Sequence, residues 1–266
     1  MRNVATKTLH DYRRSMLWWS FGMLATAVMM MSVYPSVKES APQLADYVEN
    51  MPEAMKAMFG MEGMDYTSPA GYLNTELFSF LLPIAFAAFA MGAGSRAIAG
   101  EEDKQTLDLL LSTPITRRSV LLQKVVAMVV DVGVLVLVLW AGLWLGGLFV
   151  SFDMSALRML EGCLAVGFIA LAFGAFALLW GCWRGGRGAA IGVTSALLVG
   201  TYLLNSLANV VDALEPWRWL SPFYWYGRHN VLREGLDPVD MLVLVGVTVV
   251  LVLLSIPALD RRDLHA

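Results

Sequence analysis

The chain has 266 residues, of which 58% are hydrophobic and 15% charged, with a formal net charge of −3 and a mean hydropathy of +0.61. A water-soluble domain is nearer half apolar and a quarter charged, so the composition excludes an ordinary soluble globule and points to a bilayer as solvent. Cys163 and Cys182, both in or beside apolar runs, are expected as small buried hydrophobes, since a disulfide framework or a zinc site needs other numbers and spacing.

The chain opens with "MRNVATKTLHDYRRSM". This polar lead is too long for a signal peptide, and no small-residue cleavage site follows the apolar run behind it. Residues 1–14 are therefore expected as a cytoplasmic connecting segment, with residues 15–34 as the first span. A crossing helix needs about 20 mostly apolar residues. Five later segments meet that length, at roughly 77–96, 125–150, 157–180, 189–207 and 239–258. The expected fold is thus an all-α membrane protein, a single domain over 1–266 with six transmembrane helices. Six spans put both termini on one side. That side would hold 13 of the 19 lysines and arginines, so the positive-inside rule places both termini in the cytoplasm.

Residues 35–76 form the first outer loop, with seven acids and two bases. Within it, "NMPEAMKAMFGMEGM" sets Met51, Met55, Met58, Met61 and Met64 at steps of three and four. Soft thioethers bind Cu(I), but such stripes far more often fill gaps. A short amphipathic helix with Pro52 in its first turn is the preferred reading, and no metal is assigned.

The stretch "EEDKQTLDLLLSTPITRRS", within 97–118, is unusual between two apolar runs. Glu101, Glu102 and Asp103 suit the positive end of a helix dipole. Leu107, Leu110 and Leu111 then share one face, and Pro114 ends the helix. Thr116 is placed to cap the next helix, with Arg117 and Arg118 at the cytoplasmic headgroups. Something must cover the leucine face: the headgroup region or a cytoplasmic protein.

In the third span Gly142 and Gly146, and in the fourth Gly167, Gly174 and Gly181, make smooth faces for close helix packing. Asp131 is the acid well inside a span, expected to be solvated or paired with Lys124 two turns away. Residues 208–238 contain "EPWRWLSPFYWYGRHN", too rich in proline and charge for a span. It is expected as re-entrant or interfacial helices on the outer face. Trp217, Trp219, Phe223, Tyr224 and Trp225 would then sit at headgroup depth, as an aromatic belt or as an outer gate or interface.

Enzyme readings find little support. The three histidines, His10, His229 and His265, all lie outside the spans, which removes a membrane haem. Neither paired aspartates, a serine with its base, nor a zinc helix occurs within a span, so no catalytic residue is assigned.

"IAGEEDKQTLDLLLSTPITRRSVLLQK" resembles the signature of ABC-2 type permeases, the membrane subunits of a class of ATP-driven exporters. "MPEAMKAMFG", "SPAGYL", "LSPFYWYG" and the terminal "DRRDL" extend the resemblance along most of the chain. It implies an ABC-2 type permease bundle in which Glu101 to Leu111 is a coupling helix docking on a cytoplasmic ATPase. The coupling residues would be Glu101, Glu102, Thr106, Leu107, Leu110, Leu111, Pro114, Arg117 and Arg118. Where the family usually has glycine before the Thr-Leu pair, this chain has Gln105. It also implies a second permease copy, as a homodimer or with a related permease, in the cytoplasmic membrane.

The sequence lacks the G-x-x-x-x-G-K-[ST] phosphate loop, so ATP and Mg would belong to a separate ABC ATPase subunit and this chain would bind no cofactor. Membrane lipid is an expected partner; nucleic acid is not. Apolar, aromatic spans suit export of a lipophilic drug, antibiotic or lipid-like substrate. A non-transporting anchor or scaffold for an ATPase is the alternative. A secondary carrier is disfavoured, because the spans hold almost no paired ionisable residues.

Overall fold

The computed structural model describes residues 4–40, 50–52, 55, 68–103, 105, 115–150 and 152–261. Helix α1 (Val4–Glu39) runs unbroken through both the expected connecting segment and the first span. Residues 4–14 are therefore not a separate element, since no proline interrupts the helix before Pro35. The other long helices are α5 (Arg117–Phe149), α6 (Ala156–Arg184), α7 (Arg187–Leu207) and α10 (Pro238–Asp260). Each overruns its expected span, because hydropathy marks the apolar stretch while the hydrogen-bonded helix continues into its polar ends. These five are long and apolar enough to cross a membrane.

A sixth crossing is available as a bent pair: α2 (Pro69–Leu73) with a π-turn at Asn74–Phe78, then α3 (Leu81–Ala97), inclined by 41°. Pro83 explains the break. It has no N–H to give the Ser79 carbonyl, and its ring would crowd that carbonyl in a straight helix. The Phe78 carbonyl, freed at the same place, accepts a 2.7 Å hydrogen bond from the Tyr226 hydroxyl. Sequence hydropathy placed one uninterrupted span here; the structure divides it.

The remaining elements are α4 (Ala99–Asp103), a 3-10 turn at Glu215–Leu220, α8 (Pro222–Gly227) and α9 (Val231–Glu234). Among the described residues there is no strand. Helix starts are set by side-chain caps. Thr116, Ser155, Ser221, Asn230 and Asp237 each accept a backbone N–H from the first turn of the helix they precede. The N–H of Asp240, together with that of Val239, holds the Asp237 carboxyl below the ordinary carboxylate range.

Helix α6 is the centre, with 72% of its apolar window buried, against 22% for α1 and for α10. Its glycines act as the sequence suggested. A Cβ on Gly94 of α3 would collide with the Gly174 carbonyl oxygen of α6, and one on Gly174 would lie 2.8 Å from Met128 Sδ. On α5, a Cβ on Gly142 or Gly146 would meet Ala27 or Met31 of α1 at 2.9 and 2.8 Å. Lipid is as apolar as leucine, so such close packing rather than the hydrophobic effect holds membrane helices together.

The first described residues of α1 and the last turn of α10 lie at one end of the bundle. The N–H groups of Val4 and Ala5 donate to Gln123 Oε1 at 2.7 and 3.3 Å, and Arg117 Nη1 donates to the Leu259 carbonyl at 3.2 Å. The start of α1, the start of α5 and the end of α10 therefore meet.

Candidate functional site

The functional geometry gathers at this end, where α3 turns into α4. Ile98 leaves helical geometry (φ −120°), and its carbonyl accepts from the N–H groups of Glu101 and Glu102 at 3.1 Å each. Ala99 and Gly100 are buried. The α4 backbone is pressed on α6, with Ala99 Cβ 3.4 Å from where a Gly181 Cβ would stand.

Three ties then fix α4 and its neighbours. Lys124 Nζ of α5 donates to Glu101 Oε1 at 2.6 Å, with the two side chains 4% and 17% exposed. Asp103 Oδ2 accepts from the Arg187 N–H at 3.3 Å, covering a free donor at the start of α7. Arg96 of α3 lies over the Tyr12 ring of α1, 4.5 Å from its centroid.

Asp131 is thus neither solvated nor paired with Lys124, contrary to the sequence expectation. Asp131 is buried, and Lys124 belongs to Glu101.

Gln105 N donates to Glu102 O at 2.8 Å, and its φ is +56°. It stands in the left-handed region, which ordinarily favours glycine. Glutamine supplies here the turn for which the sequence comparison expected glycine.

The expected coupling residues are placed unevenly. Glu101 and Glu102 lie in α4, and Arg117 and Arg118 in the first turn of α5. Thr106, Leu107, Leu110, Leu111 and Pro114 lie outside the described residues. Arg117 and Arg118 also contact the end of α10. Arg117 caps α10, and Arg118 Nε pairs with Asp260 Oδ2 at 3.2 Å, because the end of α10 offers free carbonyls and an acid within reach. Sequence reasoning missed Gln123, which caps α1 from α5.

At the opposite end, Trp217 and Trp219 are each 58% exposed on the 3-10 turn. Tyr224 and Trp225 are half-buried. Phe223 points into the bundle. It is buried against Tyr202 and Phe173, with ring centroids at 5.3 and 5.9 Å. Nearby, His229, Asp237 and Asp240 bring one ligand atom each within 4.8 Å. Asp240 is held by Arg228 and His229, both at 2.8 Å, and Asp237 is engaged in capping α10. The group is an ion network that fixes this turn to α10. Of the outer-loop methionines, Met58, Met61 and Met64 lie outside the described residues.

A family model described as ABC-2 family transporter protein matches residues 2–264. The chain belongs to that family. No curated protein matches it. The permease is accordingly a multi-pass membrane protein, of a family whose members are transport subunits without a nucleotide-binding domain of their own.

Proposed function

We propose that this permease works with a separate ABC ATPase subunit, that it exports a lipophilic or lipid-like substrate, and that α4 with the residues after it receives the ATPase stroke. The observation that carries the reading is the buried 2.6 Å Lys124–Glu101 pair. It ties the root of the expected coupling segment to the next span. A push on that segment is then delivered to α3 through the chain and to α5 through the ion pair. Conformational drive of this kind needs contacts that differ between two states, and an anchored helix end supplies them. A cavity between two permease copies would switch from inward to outward access. The termini would lie in the cytoplasm with the ATPase, and ATP and Mg would be bound by that partner.

The test is a photocrosslinker at position 107 in native membranes, paired with a Leu107→Asp, Leu110→Asp variant. Capture of a chain bearing a Walker-type phosphate loop, with transport abolished in an inserted and folded variant, is the expected result. Reaction with lipid alone and undiminished transport in the variant would sink the coupling reading. Capture of the ATPase without any substrate-stimulated transport would instead favour an anchor or scaffold.

A further inference from the structure

At the end of the bundle opposite the termini, the ends of α6 and α7 and the short helices α8 and α9 enclose a cavity of about 440 Å3. Its size is that of a small-molecule site and exceeds what a bare inorganic anion fills. Arg218, Arg228 and Arg233 line it, with Glu234 as the acid on its wall. Arg228 is held by buried Asp240. Asp237 stands beside Asp240 in the same cluster, so Arg228 is well compensated, and the cations that matter for a ligand are Arg218 and Arg233.

The arginines differ in how they are held. Arg218 is half-buried; its Nε donates to Asn205 Oδ1 at 3.0 Å, and its guanidinium carbon is 5.3 Å from the Tyr224 ring centroid. Among the described residues no carboxylate lies within ion-pair distance of Arg218 or of exposed Arg233. A neutral amide and an aromatic face thus orient Arg218 without neutralising it. Its remaining N–H fork suits the oxygens of a phosphate. Asn74, Asn205, Asn209 and Asn230 also line the cavity, a neutral polar wall that can share hydrogen bonds with a phosphate-bearing head without competing for its charge.

We propose that this cavity binds the phosphate-bearing head of an anionic amphiphile. Arg218 and Arg233 hold the phosphate oxygens, and the hydrocarbon next to the head leaves through the open side of the cavity. This goes beyond the coupling reading and is independent of it, since none of these residues touches α4.

The experiment uses the full chain in nanodiscs of phosphatidylcholine mixed with phosphatidylglycerol, with retained lipids identified by native mass spectrometry. Wild type should retain phosphatidylglycerol preferentially. Arg218→Gln and Arg233→Gln should each lower that preference about tenfold, the scale of one lost charge-assisted hydrogen bond. Arg233 holds no other element, so its variant reports on binding rather than folding. Lys38→Gln, an exposed cation on α1 away from the cavity, should change nothing. Glycerol phosphate at millimolar concentration separates the sources: displacement of the lipid assigns the site to soluble organophosphates, and retention assigns it to bilayer lipid. Equal retention of both lipids by wild type, or an unchanged preference in both arginine variants, overturns the proposal.

Discussion

Replacing Lys124 by methionine removes a cation from a pair whose acid is largely shielded from water. Breaking a fully buried pair from one side costs about 3–5 kcal/mol, because the remaining charge is left uncompensated. Glu101 keeps 17% exposure, which allows partial hydration, so the expected loss is about 2–3 kcal/mol. For a chain of this size that corresponds to a fall in unfolding midpoint of roughly 4–12 °C. Glu101→Gln with Lys124→Met removes both charges and should recover most of the loss. A double-mutant cycle should give a coupling of about 1–2 kcal/mol. The assay is thermal unfolding of the purified permease in nanodiscs, followed by transport with the ATPase present at a temperature where every variant is folded. Under the proposed coupling, Lys124→Met keeps ATP hydrolysis but loses transport, and the charge-swapped pair Glu101→Lys, Lys124→Glu regains part of it. A cycle coupling below about 0.5 kcal/mol together with normal transport in Lys124→Met would falsify the assignment of this pair as a mechanical tie.

Gly94→Ala drives a methyl into the Gly174 carbonyl, a backbone atom that no rotamer change can move, so the α3–α6 seam must open at a cost of at least ~3 kcal/mol. Gly192→Ala, with open space at its Cβ position, should be silent, and the monodisperse yield of both in detergent distinguishes these outcomes. Tyr226→Phe leaves the buried Phe78 carbonyl unpaired at the helix break and should cost about 1–3 kcal/mol; an unchanged denaturation midpoint would show that the carbonyl finds another donor. Gln105→Gly relieves a left-handed residue worth about 1 kcal/mol and should preserve transport. Gln105→Val, β-branched and poorly suited to positive φ, should reduce it, and equal transport by the two would show that the turn does not matter.

The spans were legible because a bilayer demands long apolar runs, and the packing glycines because small residues at fixed spacing have few other uses in a membrane helix. What escaped was long-range pairing. Lys124 and Asp131 share a helix face, yet seven residues separate them by about 10 Å along the axis. That is farther than a lysine comfortably spans, whereas Glu101 reaches Lys124 from α4. The fate of the outer aromatics was hidden for a similar reason. Phe223 and Trp219 look alike in sequence, and only the cap at Ser221 and the turn into α8 send one inward and leave the other exposed. The break before α3 was in principle readable from Pro83, but the surrounding hydropathy is high enough to conceal it.

The distribution of contacts bears on how a stroke could travel. Two seams are apolar and tight: α1 against α5 at Gly142 and Gly146, and α3 against α6 at Gly94 and Gly174. The α3–α6 seam sets backbone close to backbone, and the α1–α5 seam sets Gly142 and Gly146 against α1 side chains, so each pair is closely packed. The pairs meet through apolar packing of α6 on α5, at Gly167 with Val136 and Gly174 with Met128, and where α4 begins through polar ties: Glu101–Lys124 from α4 to α5, and Arg96 of α3 over Tyr12 of α1. Polar contacts between membrane helices are worth on the order of 1 kcal/mol each. They are strong enough to set one arrangement and weak enough to be exchanged for another by a partner that hydrolyses ATP. Polar ties at the end where α4 leaves the bundle are thus the contacts a stroke can exchange while the apolar packing holds. The prediction that follows is that variants at the ties alter the balance between hydrolysis and transport, while variants at the seams alter folding.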